Sequence, residues 1–182
     1  RALGEKLRSP QPPRKRIRPY KLYQCPWALG DVFAYRFSGA YSREKGFAGK
    51  YVVFRKVGED TWWPGHRIPV VRLYRWIGEN IPPLDQLAGY GLQEICANAT
   101  ILSLYPDWAG EYSLGLITES AKDIPQENLT YLGNLPGEDL SLPPDELHTE
   151  SYVDTTVGWD GSKYNRWFEE YVLKMYLLWL GK

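Results

Sequence analysis

Residues 25–76 restrict the fold more than any other stretch. They run CPWALGDVFAYRF, GKYVVFRKV and TWWPGHRIPVVRLYRW, separated only by short polar breaks. Segments 32–37, 50–57 and 68–76 are rich in β-branched and aromatic residues and are bounded by Gly, Ser and Pro, which predicts three β-strands. Strand periodicity puts Val32, Ala34 and Arg36 on one face of the first, and Phe33, Tyr35 and Phe37 on the other. The aromatic face is the expected core. The second strand is apolar on both faces and so is expected to be central, with Arg55 and Lys56 marking its exit toward solvent. Together the three predict a small, strongly bent antiparallel sheet.

Beyond it, residues 41–45 suit one helical turn and 84–90 a short helix that starts after Pro82 and Pro83 and stops at Gly89 and Gly91. Short β-prone runs follow at 100–105, 112–118 and 128–132, and residues 138–150 read as an acidic loop. The last element is predicted as a helix over 162–180, capped by Ser162 and ended by Gly181. Trp167, Tyr171, Met175 and Leu178 would form one stripe closing the core. Val172, Tyr176, Leu177 and Leu180 widen the apolar arc, which leaves a partner-binding helix as the alternative. The fold class is therefore α+β: a small curved antiparallel sheet, SH3-like or barrel-like, with a long C-terminal helix.

A chain of 182 residues fits a single domain over 24–182 preceded by an arm over 1–23. Pro10, Pro12, Pro13 and Pro19 deny that arm a helix and favour extended backbone. The chain opens with ALGEKL and no methionine, and these residues read as the last turns of a helix, so a helical region is expected before residue 1. Formal charge is zero overall but unevenly spread. Eight bases and one acid lie in 1–23, nine bases and four acids in 24–76, and five bases and 17 acids in 77–182. One reading is a basic half that meets nucleic acid. The other is an internally neutralised protein with a solvated linker.

Chemistry-bearing motifs are scarce. Cys25 and Cys96 lie far apart, outside any CxxC or Cys/His cluster, so neither a disulfide framework, a zinc site nor a redox pair is expected. Reduced thiols fit a cytoplasmic protein, with Cys25 a small core residue. No apolar run approaches the about 20 residues of a membrane span, and the two sequons at Asn98 and Asn128 follow no signal peptide. A phosphate loop, an EF-hand, HExxH and GxSxG are all missing, so no catalytic residue, metal or cofactor is expected.

One cluster stands out as a candidate binding site: Trp62, Trp63, His66 and Arg67, placed by their Pro-Gly neighbours on a loop before the third strand. Exposed rings beside a guanidinium could stack on a base, a sugar or a partner side chain. The competing reading is that the indoles cap the end of the sheet, the commoner use of so large an apolar group.

The ordered set PQPPRKRIRPYKLYQCPWALGDVFAYRF, GKYVVFRKV, WWPGHRIPVVRLYRW, LTYLGNLPG and WFEEYVLKMY resembles an uncharacterised group of mainly Firmicutes proteins. In that group a helical N-terminal region precedes a β-rich half through a basic, proline-containing linker. The pieces GDVFAYRF and GKYVVF are also distantly similar to the immunity protein 26 family, whose members are proposed to neutralise bacterial toxins in the cytoplasm. The closer resemblance implies the fold and the preceding helical region but no activity and no site residue; the expected function is a non-catalytic protein-binding module, of the immunity kind that the distant likeness implies. A nucleic-acid-binding module using the basic arm and first half is the alternative.

Overall fold

In the computed structural model, residues 4, 22–63, 66–87, 113–136, 155–161, 163, 164 and 166–180 are described, with backbone alone at 63, 155, 178 and 179. The elements are β1 (Asp31–Arg36), α1 (Ala40–Glu44), β2 (Tyr51–Trp63), β3 (His66–Gly78), α2 (Leu84–Leu87), β4 (Leu114–Ile117), a 3-10 turn (Gln126–Asn128), β5 (Leu129–Asn134), β6 (Thr155–Gly158) and α3 (Phe168–Trp179). The strands form one sheet in the order β5-β1-β2-β3-β4-β6.

That order corrects the expected antiparallel barrel. β5 and β6 are the two ends of an open sheet, and β6 runs parallel to β4. A parallel neighbour cannot be reached by a hairpin and needs a long crossover, here the chain between Ile117 and Thr155. TTVG is too short a run to announce itself, and no expectation covered it. The β2–β3 register shifts three times, near Val52, Lys56 and Thr61, irregularities of the kind that bend and twist a strand pair.

The aromatic face of β1 is the core, as expected. Phe33, Tyr35 and Phe37 pack with Phe54, Val71, Leu73, Leu114, Leu116 and Val157, under Phe168, Val172 and Leu173 of α3. On the opposite face, Val32, Ala34, Val53 and Tyr74 are covered by Leu87 of α2. The centre of the sheet is therefore buried on both sides, which is why β1 and β2 carry apolar residues at successive positions.

Three local expectations change. Arg55 and Lys56 are buried, not turned to solvent, because β2 continues eight residues past Arg55. Lys56 Nζ donates to the Trp27 carbonyl and to Glu59 Oε1, both at 2.7 Å, so its charge is paired inside the fold. The C-terminal helix has 12 residues and starts at Phe168, not Ser162. Ahead of it the chain is held along β6: the Gly158 N–H donates to the Arg166 carbonyl at 2.8 Å and Trp167 bridges Gly158. Trp167 thus stands outside the helix, over Gly39, where a Cβ would lie 2.2 Å from its ring. The core stripe is consequently Phe168, Val172 and the half-buried Met175, with Tyr171 and Leu173 beside it.

Other expected elements appear as α1, α2, β4 and β5. The strand at 100–105, the loop at 138–150, Cys96 and nearly all of the arm lie outside the described residues. No helix among the described residues is long and apolar enough to cross a membrane.

Candidate binding surface

The cluster Trp62, Trp63, His66 and Arg67 lies on strand ends, not on an extended loop. β2 runs to Trp63, β3 starts at His66, and these two residues pair across the strands. The expectation of a loop failed because Gly58, Glu59 and Asp60 read as a break, whereas their backbone stays in the ladder opposite Val70, Pro69 and Ile68. His66 is only 2% exposed, and its Nε2 lies 3.0 Å from the Thr118 carbonyl oxygen. Thr118 in turn accepts from Trp159 Nε1 at 3.1 Å and donates to the Leu116 carbonyl. The imidazole therefore ties the hairpin end to β4 and to Trp159. Arg67 stands 3.8 Å from Glu59, the carboxylate that Lys56 also holds. Trp62 is half-buried, and of the Trp63 side chain nothing is described. Of the four, Trp62 and Arg67 keep access to solvent, while His66 is turned inward.

Glu169 is the most deeply buried carboxylate in the described residues, at 0% exposure in the first turn of α3. It accepts from the Gly39 N–H at 2.7 Å, the Ser38 N–H at 3.3 Å and the Tyr35 hydroxyl at 3.0 Å. One donor from β1 and two from the turn before α1 thereby tie this part of the chain to α3. Burial pushes the Tyr35 phenol far up, and the Glu169 charge adds to the effect. Folded Tyr35 so keeps its proton at a pH where the unfolded chain loses it. Its contribution to stability is complete below the unfolded value of 10.0 and is lost as pH rises above it. Urea melts across the alkaline range should show stability falling from about pH 10, by up to about 1.4 kcal/mol per pH unit from this proton. Tyr35→Phe should flatten that limb. An unchanged slope would assign the titration to other tyrosines.

Cys25 is free and half-buried, and burial raises its thiol above the ordinary value, against a smaller opposing pull from the Trp27 N–H and Lys56. This is the environment of an unreactive thiol. Among the described residues no three His, Cys, Asp or Glu side chains gather as a metal site.

The outer side of α3 is different. Arg166, Trp167, Glu170, Tyr171 and Lys174 line a surface cleft. Beside it Lys174 bonds to Glu170, and its Nζ lies 5.6 Å from the centre of the Tyr41 ring on α1. Lys45 Nζ lies 5.5 Å from the same ring. Farther along, Lys50 Nζ sits 5.0 Å from the Phe47 ring, which meets Tyr176 edge-on at 6.2 Å. Tyr171 is core, as expected, but the sequence reading also gave Trp167 to the core stripe and Tyr41 to one helical turn, so it missed this face. The local signals were Glu170 four residues before Lys174, the spacing of an exposed helical ion pair, and Tyr41 four residues before Lys45.

No protein-family model, curated protein or solved structure matches the chain. Its own architecture defines its class: an α+β domain with an open mixed sheet and a helix, α3, packed on one face.

Proposed function

We propose that the chain is a protein-binding module without catalytic chemistry, of the immunity-protein kind that neutralises a toxin by occupying its surface in the cytoplasm. The observation that carries this reading is the cleft beside the start of α3, where the half-buried Trp167 stands with Arg166, Glu170 and Lys174 and the buried Tyr171 forms its floor. Trp, Tyr and Arg are the residue types that dominate binding energy at protein interfaces, because they exclude much water for few rotatable bonds. The buried ionisable groups Lys56, His66 and Glu169 support it too, since each is engaged with main-chain or neighbouring groups that hold the fold together. The segments GDVFAYRF and GKYVVF, which carry the likeness to the immunity protein 26 family, form the paired strands β1 and β2. The β1–β2–β3 meander likewise supports an SH3-like reading of this part of the sheet.

The test is capture of a partner by the immobilised full chain after nuclease treatment, followed by reconstitution from purified components. A defined complex that Arg166→Ala with Lys174→Ala weakens at least about ten-fold, or about 1.4 kcal/mol, fits the reading. Material that nuclease removes, and whose retention collapses between about 50 and 200 mM salt, would assign the module to nucleic acid instead.

A further inference from the structure

We propose that the α1–α3 face recognises an acidic segment of a protein partner, an assignment that rests on the protein-binding reading above and names the chemistry of that partner. Among the described residues, Lys45, Lys50, Arg166 and Lys174 lie on this face together with Glu44 and Glu170. The two acids are spent in pairs with Lys45 and Lys174 whose side chains are 39% and 52% exposed. Exposed pairs of this kind are worth little, so an incoming carboxylate can replace either acid at small cost.

The rings decide between an acidic peptide and a nucleic acid. A single-strand binder keeps its aromatic faces open as platforms for bases. Here Lys45 and Lys174 both approach the Tyr41 ring, and Lys50 approaches Phe47. The rings hold ammonium groups in place by cation–π attraction and present charge outward rather than a bare π-face. Because both lysines lie within 5.6 Å of one ring centre, their ammonium groups are no more than about 11 Å apart. Carboxylates two or three residues apart on an extended segment, which rises about 3.3 Å per residue, can reach both. Glu169 ties the turn before α1 to α3, so this spacing is set before a partner arrives and less ordering is needed on binding.

The experiment titrates the full chain with a fluorescein-labelled Glu-rich peptide, its Gln-for-Glu counterpart and a single-stranded oligodeoxynucleotide of equal charge. Anisotropy reports affinity, and amide NMR shifts report position. The expected result is saturable binding of the Glu peptide with shifts centred on Tyr41, Lys45 and Lys174. The Gln peptide should bind at least about ten-fold more weakly, and Lys45→Glu with Lys174→Glu should lose a similar factor. An unchanged melting temperature in that variant, or the same loss in Lys45→Gln with Lys174→Gln, separates lost binding from lost folding. Tighter binding of the oligonucleotide than of the peptide would overturn both this assignment and the protein-binding reading. Equal binding of the peptide by the charge-reversed chain, shifts centred on Trp62 and Arg67, or no saturable binding of the peptide would overturn the acidic-segment assignment alone, leaving the partner capture above to judge the wider reading.

Discussion

Phe168→Ala is expected to cost about 3–5 kcal/mol of folding stability. The Phe168 ring is 0% exposed and touches the three aromatic groups on which the sheet closes: Tyr35 and Trp159 at 5.1 Å and Phe54 at 5.8 Å between centres. Truncating it loses the transfer energy of a benzyl group and opens a cavity walled by rings that cannot collapse into it. Against a typical domain stability of about 5–15 kcal/mol, that is a large share. Trp167→Ala should cost less, although the residue is larger, because Trp167 stands ahead of the helix and is only half-buried. Urea melts of the two variants give the order directly. A Phe168→Ala chain that melts within about 1 kcal/mol of the parent would mean that α3 is not what seals the sheet.

The second large effect is expected at Glu169, where replacement by Ala should cost about 2–4 kcal/mol, the scale for losing hydrogen bonds to a charged acceptor and leaving a buried donor unsatisfied. The buried Tyr35 hydroxyl would lose its acceptor, and an unsatisfied buried donor costs about 1–3 kcal/mol, while the Ser38 and Gly39 amides, nearer to solvent, would lose theirs at smaller cost. Glu169→Gln keeps one acceptor oxygen but turns an NH2 group toward donors, so an intermediate loss is expected. Amide hydrogen exchange is the more specific readout. Ser38 and Gly39 should exchange faster in the Ala variant than the change in global stability accounts for. Unaltered exchange at both positions would show that the α1 turn is held by other contacts.

The sequence made some of this fold legible and left other parts hidden for physical reasons. The aromatic face of β1 was readable because Phe33, Tyr35 and Phe37 repeat at the period of a strand and meet the core as a set. The distal half of the β2–β3 hairpin was not, since backbone pairing is indifferent to the polarity of Glu59 and Asp60. Burial of Lys56 depends on the carbonyl of Trp27, which lies 29 residues away. The helix start was obscured by the bridge from Gly158 to Trp167, a tertiary contact without local signature. At the candidate surface the local contacts are Glu170–Lys174, Tyr41–Lys45 and Phe47–Lys50, three or four residues apart. The approach of Lys174 to Tyr41 joins distant parts of the chain, and no periodicity encodes it.

The pairing of β5 with β1 also has a consequence for how the protein is made. β1, β2 and β3 are sequential neighbours and can assemble as soon as they are synthesised. The outer edge of β1, by contrast, waits for Asn134, which bonds to Asp31 across 103 residues. At about 5–20 residues per second, the nascent chain leaves that edge open for roughly 5–20 s. An unpaired strand edge invites pairing with other chains. Yield in a cell should therefore respond more to translation speed and chaperone supply than the stability of the finished domain would suggest.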